Sequence, residues 1–117
     1  MEGINIILRK PPYGTVDASE AIRHALGGIT EELSVNLVLI DGGVNAARKG
    51  QFATNTEYLS IEEGMRDCID MGVNIYADRT SLKDECVEVQ ELIEGVKVVG
   101  SSEIVEMLSS SSVTMIF

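Results

Sequence analysis

Five short apolar runs, separated by stretches of helical periodicity, limit this chain to very few folds. The runs are residues 4–8 (INIIL), 35–40 (VNLVLI), 73–77 (VNIYA), 96–99 (VKVV) and 113–117 (VTMIF). They are rich in β-branched residues, too short for helices, and bounded by glycine or serine, as strands covered on both faces are. Between the first two, Ala18, Ile22, Ala25, Leu26 and Ile29 recur every three or four residues, the mark of one helical face. Asp17 and Glu20 suit the start of that helix, and Gly27-Gly28 suits its end. Ser60 and Glu63 have capping-box spacing, with Met65, Cys68 and Ile69 on one face behind them and Gly72 as the stop. Leu82, Cys86, Val89 and Ile93 repeat at the same spacing, as one helix or as two pieces. Ser101 and Ser102 suit the start of a last short helix presenting Ile104, Val105 and Leu108, and the serines at 109–112 read as a solvated turn.

Strand alternating with helix predicts an α/β fold: three layers, α/β/α, around a mainly parallel five-stranded sheet. With 117 residues and no linker or internal repeat, residues 1–117 form a single domain. No apolar run approaches the roughly 20 residues that span a bilayer. The start, Met1-Glu2-Gly3, is acidic and leads straight into a strand, unlike a signal peptide. The expected setting is the cytoplasm, without membrane contact.

Charge narrows the partners. Nineteen acidic residues against nine basic ones give a net charge of −10, which repels phosphate backbones. Three tyrosines and two phenylalanines make no stacking platform for single strands. Direct nucleic-acid binding is therefore not expected. The two cysteines and single histidine form no C-x-x-C or H-x-x-x-H pair, so no metal site is predicted.

In open parallel sheets, ligands gather beyond the carboxyl ends of the strands. Three loops arrive there. The first carries Tyr13, Gly14 and Thr15; the second, 41–44 (DGGV), carries Gly43; the third carries Asp78, Arg79 and Thr80. Neither glycine loop fits G-x-x-x-x-G-K-[ST], and no G-x-G-x-x-G follows the first strand, so no cofactor is called for. Cys68 shares a helix face with Ile61, Met65 and Ile69 and is expected in the core. Cys86 stands on the next apolar stripe. A nucleophilic thiol needs exposure and a supporting charge, and its neighbours are Asp84, Glu85 and Glu88, so it too is expected to be packed. His24 lies one step off the first stripe, at the rim. Around the serines no histidine motif supports a hydrolytic triad.

The turn at 9–15 (RKPPYGT) then gains meaning. A strand followed by Pro-Pro-Tyr-Gly-Thr and a helix resembles the start of the DsrE/DsrF-like proteins, a small sulfur-relay family that includes the Tus subunits. Their first strand leads into a Pro-x-(Tyr/His)-Gly-Thr turn. The stretches 41–50 (DGGVNAARKG), 72–87 (GVNIYADRTSLKDECV), 93–108 (IEGVKVVGSSEIVEML) and 113–117 are similar to later family segments, in order, along almost the whole chain. The resemblance implies a three-layer α/β/α fold and assembly into trimers or hexamers, homomeric or mixed, in the cytoplasm. It implies passage of persulfide sulfur between proteins, towards tRNA 2-thiolation or sulfur metabolism, with cysteine-bearing relay proteins as partners. Carrier members hold the sulfur on a cysteine just after the third strand. Here that window reads Ile75-Tyr76-Ala77-Asp78-Arg79-Thr80, with no cysteine. The chain therefore fits best the DsrF/TusC branch, whose members act as assembly subunits beside a cysteine-bearing partner. Two alternatives remain: an active sulfurtransferase using Cys86, and a small-ligand or nucleotide-binding regulator using the glycine loops. Pro11, Pro12 and Gly14 can serve as a rigid strand-to-helix turn, or Tyr13 and Thr15 can line a cleft or subunit contact.

Overall fold

Alternation along the strands decides which helix covers which face of the sheet. The computed structural model describes residues 3–50, 60–110 and 113–117. The expectations for the first two residues and for Ser111 and Ser112 lie outside these. The strands are β1 (Gly3–Leu8), β2 (Ser34–Leu39), β3 (Asn74–Asp78), β4 (Lys97–Val99) and β5 (Val113–Ile116). All pair in parallel, in the order β4-β3-β2-β1-β5. The helices are α1 (Asp17–Thr30), α2 (Ile61–Asp70), α3 (Arg79–Asp84) and α4 (Ser101–Ser110).

The chain steps from β1 to β4 in one direction across the sheet. Crossovers of one hand therefore lay α1, α2 and α3 on the same face. The last connection steps back past β1 to β5, and the same handedness puts α4 on the opposite face. Side chains sort accordingly. Ile4, Ile6, Leu8, Leu37, Leu39, Ile75 and Ala77 meet Ala18, Ile22 and Ala25 of α1, Met65 and Cys68 of α2, and Leu82 of α3. Ile7, Val38 and Val99 meet Ile104 of α4.

The α4 face also holds a row of amides that the apolar runs conceal. Asn36 Nδ2 donates to Asn5 Oδ1 at 3.0 Å, Asn74 Nδ2 to Asn36 Oδ1 at 3.3 Å, and Lys97 Nζ to Asn74 Oδ1 at 3.4 Å. Asn5, fully buried, donates its own Nδ2 to the Met107 carbonyl at 3.2 Å. Satisfied in this way, the asparagines cost little by burial and tie α4 to the sheet.

Three expectations need correction. Gly27 and Gly28 do not end α1, which runs on to Thr30. Gly28 instead permits close approach: a Cβ there would stand 2.6 Å from Ile4 Cδ1 and 2.9 Å from Val35 Cγ2. Val105 is exposed rather than presented to the core. Cys86 lies on no helical stripe, because α3 ends at Asp84 and a 3-10 turn follows only at Val89–Glu91. By contrast α2 behaves as expected: the Ser60 hydroxyl accepts from the Glu63 N–H, and Gly72 takes φ +101° just past the helix. Ser109 and Ser110, expected in a turn, close α4 instead.

Candidate functional site

At the carboxyl ends of the strands, β3 passes directly into α3, and Asp78 is the hinge between them. Its Oδ2 accepts from the Ser81 N–H at 3.0 Å and from the Ser81 hydroxyl at 2.6 Å, capping the helix. The Ser81 oxygen in turn accepts from the Asp41 N–H at 2.8 Å. Ser81 is buried, so this chain of bonds fastens the end of β2 to the start of α3. Asp41 takes φ +49° there and opens a 3-10 turn, Asp41–Ala47. Gly43 of that turn lies against the end of β1, where a Cβ would stand 2.1 Å from the Leu8 carbonyl oxygen. Gly43 is a packing glycine. The space that a bound phosphate would need beside it is filled by backbone.

Tyr13, Gly14 and Thr15 come together as expected. With Pro12, Val16, Ser19 and Ile61 they line a cavity of about 240 Å³. Gly14 has φ +99°, the sharp bend from the proline turn towards α1. Thr15 Oγ1 accepts from the Asp17 N–H at 3.3 Å, and the exposed Tyr13 supplies the cavity's aromatic wall.

Arg79 and Thr80 are exposed, and they do not join that cavity. Arg79 instead lines a groove of about 440 Å³ with Leu82, Lys83, Cys86, Val87 and Glu88. Cys86 is exposed, contrary to expectation. The reason is local. The Val87 N–H donates to the Leu82 carbonyl at 2.9 Å and the Cys86 N–H to the Lys83 carbonyl at 3.2 Å, a Schellman cap. Cys86 takes the left-handed position of that cap, with φ +57°, while Leu82 and Val87 close the motif by burying themselves. The strand-end loops thus give two separate surfaces, one around Tyr13 and one around Cys86, with the Asp78–Ser81–Asp41 link as a structural element.

Cys68 is buried in α2 as expected, and burial, with the charge of Asp67 adding to it, pushes its thiol up to about 12. It stays neutral and inert at physiological pH. His24 packs at 46° against Phe117, ring centroids 5.2 Å apart. Among the described residues no group of His, Cys, Asp or Glu could hold a metal ion, and no helix is long and apolar enough to cross a membrane. Sequence reasoning missed Ser81 as a buried link, although an Asp followed three residues later by Ser at a strand end has the spacing of a side-chain cap.

The geometry defines a small parallel α/β domain with strand-end surfaces built neither on a nucleotide loop nor on a metal cluster. The chain belongs to the DsrE/DsrF-like family, which matches residues 3–117. It is 29% identical over 124 residues to the intracellular sulfur oxidation protein DsrF of Allochromatium vinosum, covering 93% of this chain and 91% of that protein. It is 27% identical over 112 residues to an uncharacterised protein of Methanocaldococcus jannaschii, covering 96% of both. Among solved structures, the ychN protein from E. coli superposes with a TM-score of 0.90 over the full length of both chains, at 22% identity. A protein of unknown function from Methanobacterium thermoautotrophicum gives 0.75 over 97% of both, at 19% identity. These likenesses establish the fold: an all-parallel sheet with helices on both sides.

Proposed function

We propose that this protein is a subunit of a cytoplasmic sulfur-relay assembly, a trimer or larger, in which a partner carries the persulfide. Family membership and the likeness to a sulfur oxidation protein support a sulfur-relay role. The observation that carries the assembly-subunit reading is Asp78. It stands at the end of β3, where carrier members of the family place their cysteine, and its carboxylate is committed to capping α3 through Ser81. A carboxylate cannot hold a sulfane sulfur. The sulfur passed on by the assembly serves tRNA 2-thiolation or sulfur metabolism, and the likeness to DsrF favours the latter. The net charge of −10 keeps the chain off RNA itself, so any tRNA is handled elsewhere in the relay. Tyr13 and Thr15 are placed for a cleft or subunit contact. Purification from cells at native abundance tests this reading: a cysteine-bearing relay protein is expected to co-purify, and a chain that purifies alone contradicts it.

One observation favours a second reading, transfer through Cys86 itself. The thiol is exposed, holds a left-handed backbone where glycine is favoured, and lines a groove with the cations Arg79 and Lys83. In that case a donor R–S–SH gives up its terminal sulfur. The donor S–S bond breaks as one forms to Cys86 Sγ, R–SH leaves with the proton of the Cys86 thiol, and Cys86–S–SH remains.

A further inference from the structure

The two edges of the sheet are guarded differently. β4 is three residues long and carries Lys97, features that discourage strand addition. β5 has neither charge nor proline, and Val113 and Ile116 are 47% and 62% exposed. The Phe117 N–H donates to the Ile7 carbonyl at 2.8 Å and the Arg9 N–H to the Phe117 carbonyl at 2.9 Å. Parallel alternation therefore turns the main-chain groups of Val113, Met115 and Phe117 towards β1. Those of Thr114 and Ile116 point outward, and no strand follows β5 in the sheet. Beside this edge a groove of about 360 Å³ separates β5 from α1, with Ile4 and Met115 on its apolar side and Gly27 and Gly28 along the helix.

An outward row of amide donors and acceptors is completed by an extended segment, so the occupant is a strand. We propose that this strand is β5 of a second copy, added antiparallel about a twofold axis through Met115. The register is self-complementary. Thr114 lies opposite Ile116 of the partner copy, and each such pair exchanges N–H and C=O in both directions. Met115 faces its own counterpart in the narrow, non-hydrogen-bonded position between these pairs, next to the groove. Charge favours this contact over others between identical chains. Each copy carries −10, so copies repel over most of their surface, whereas residues 113–117 hold no charged side chain. The groove rim balances Arg23 against Glu31. The contact depends on the sheet edge alone and holds whether or not sulfur passes through Cys86.

The test is cross-linking of full-length Met115→Cys in a Cys86→Ser background, alongside light scattering of the wild type. The expected results are a self-associated wild type and a disulfide-linked dimer of the variant on mild oxidation. Thr114→Pro removes an outward N–H and leaves the β1 pairing intact. Added to that variant it is expected to abolish the cross-link, and alone to lose the association, with far-UV circular dichroism unchanged in each case. A wild type that is monomeric at micromolar concentration overturns the proposal. So does a folded Met115→Cys variant that does not cross-link, or a cross-link that survives Thr114→Pro, since each places something other than a second β5 on this edge.

Discussion

Cys86 holds φ +57° at the left-handed position of the α3 cap, and Glu32 holds φ +63° just beyond α1, whereas α2 is followed by Gly72. A left-handed backbone costs a residue with a Cβ roughly 1 kcal/mol relative to glycine. Cys86→Gly is therefore expected to raise the unfolding free energy by about 0.5–1 kcal/mol, read by chemical denaturation. A loss of stability would mean that the cysteine side chain makes contacts that the cap geometry does not reveal. The same geometry predicts that a thiol probe labels Cys86 rapidly in the native protein and Cys68 only after unfolding. Equal labelling of both would contradict the burial of α2. The spacing of Leu82, Cys86 and Val89 could not reveal this, because a helix and a Schellman cap followed by a turn share the same apolar periodicity. Asp78 was legible as a residue at the site but not as a cap, since its partner Ser81 contributes through burial and through the distant Asp41 N–H.

At the scale of elements, the strand–helix alternation was readable because each strand is a compact β-branched run, and observed boundaries fall within a residue or so of the expected ones. What the runs could not reveal is which face each residue serves. The amides of Asn5, Asn36 and Asn74 became a bonded row only once the register placed them side by side. Nor could sequence separate a glycine that ends a helix from one that lets two elements touch. Gly43 is the sharpest case, and it yields a direct prediction. Gly43→Ala forces a Cβ into the Leu8 carbonyl and is expected to cost about 1–3 kcal/mol by overpacking, seen as a lower denaturation midpoint. An unchanged midpoint would show that the Asp41–Ala47 turn yields easily. The burial of α2 has a pH signature as well. Cys68 ionises near 9 when unfolded but only at about 12 in the fold. Above the lower value the unfolded chain therefore sheds a proton that the native chain keeps, and stability falls as pH rises from about 9 towards 12. Cys68→Ala, compared with its own stability at pH 7, is expected to lose less over that range than the wild type does. An identical slope would mean that Cys68 makes no contribution.

For the whole molecule, topology explains why one face of the sheet is richly covered and the other holds a single helix. Three crossovers run one way and only the last runs back. The expected layers, parallel sheet and family all follow from that alternation together with the ordered segments from the proline turn to the last strand, and the match over residues 3–117 agrees with them. The candidate site was legible only in part, because which strand-end loops meet depends on contacts far apart in sequence. The loops were expected to form one cleft and instead form two surfaces, divided by the Asp78–Ser81–Asp41 link. The central claim is that sulfur does not reside on this chain. Mass spectrometry of the intact protein, after incubation with a stoichiometric protein persulfide donor and removal of the donor, tests it most directly. The account predicts an unchanged mass for this chain, with the added sulfur appearing on a cysteine-bearing partner when one is present. A stoichiometric gain of one sulfur atom, lost in Cys86→Ser, would contradict it and make this protein a carrier.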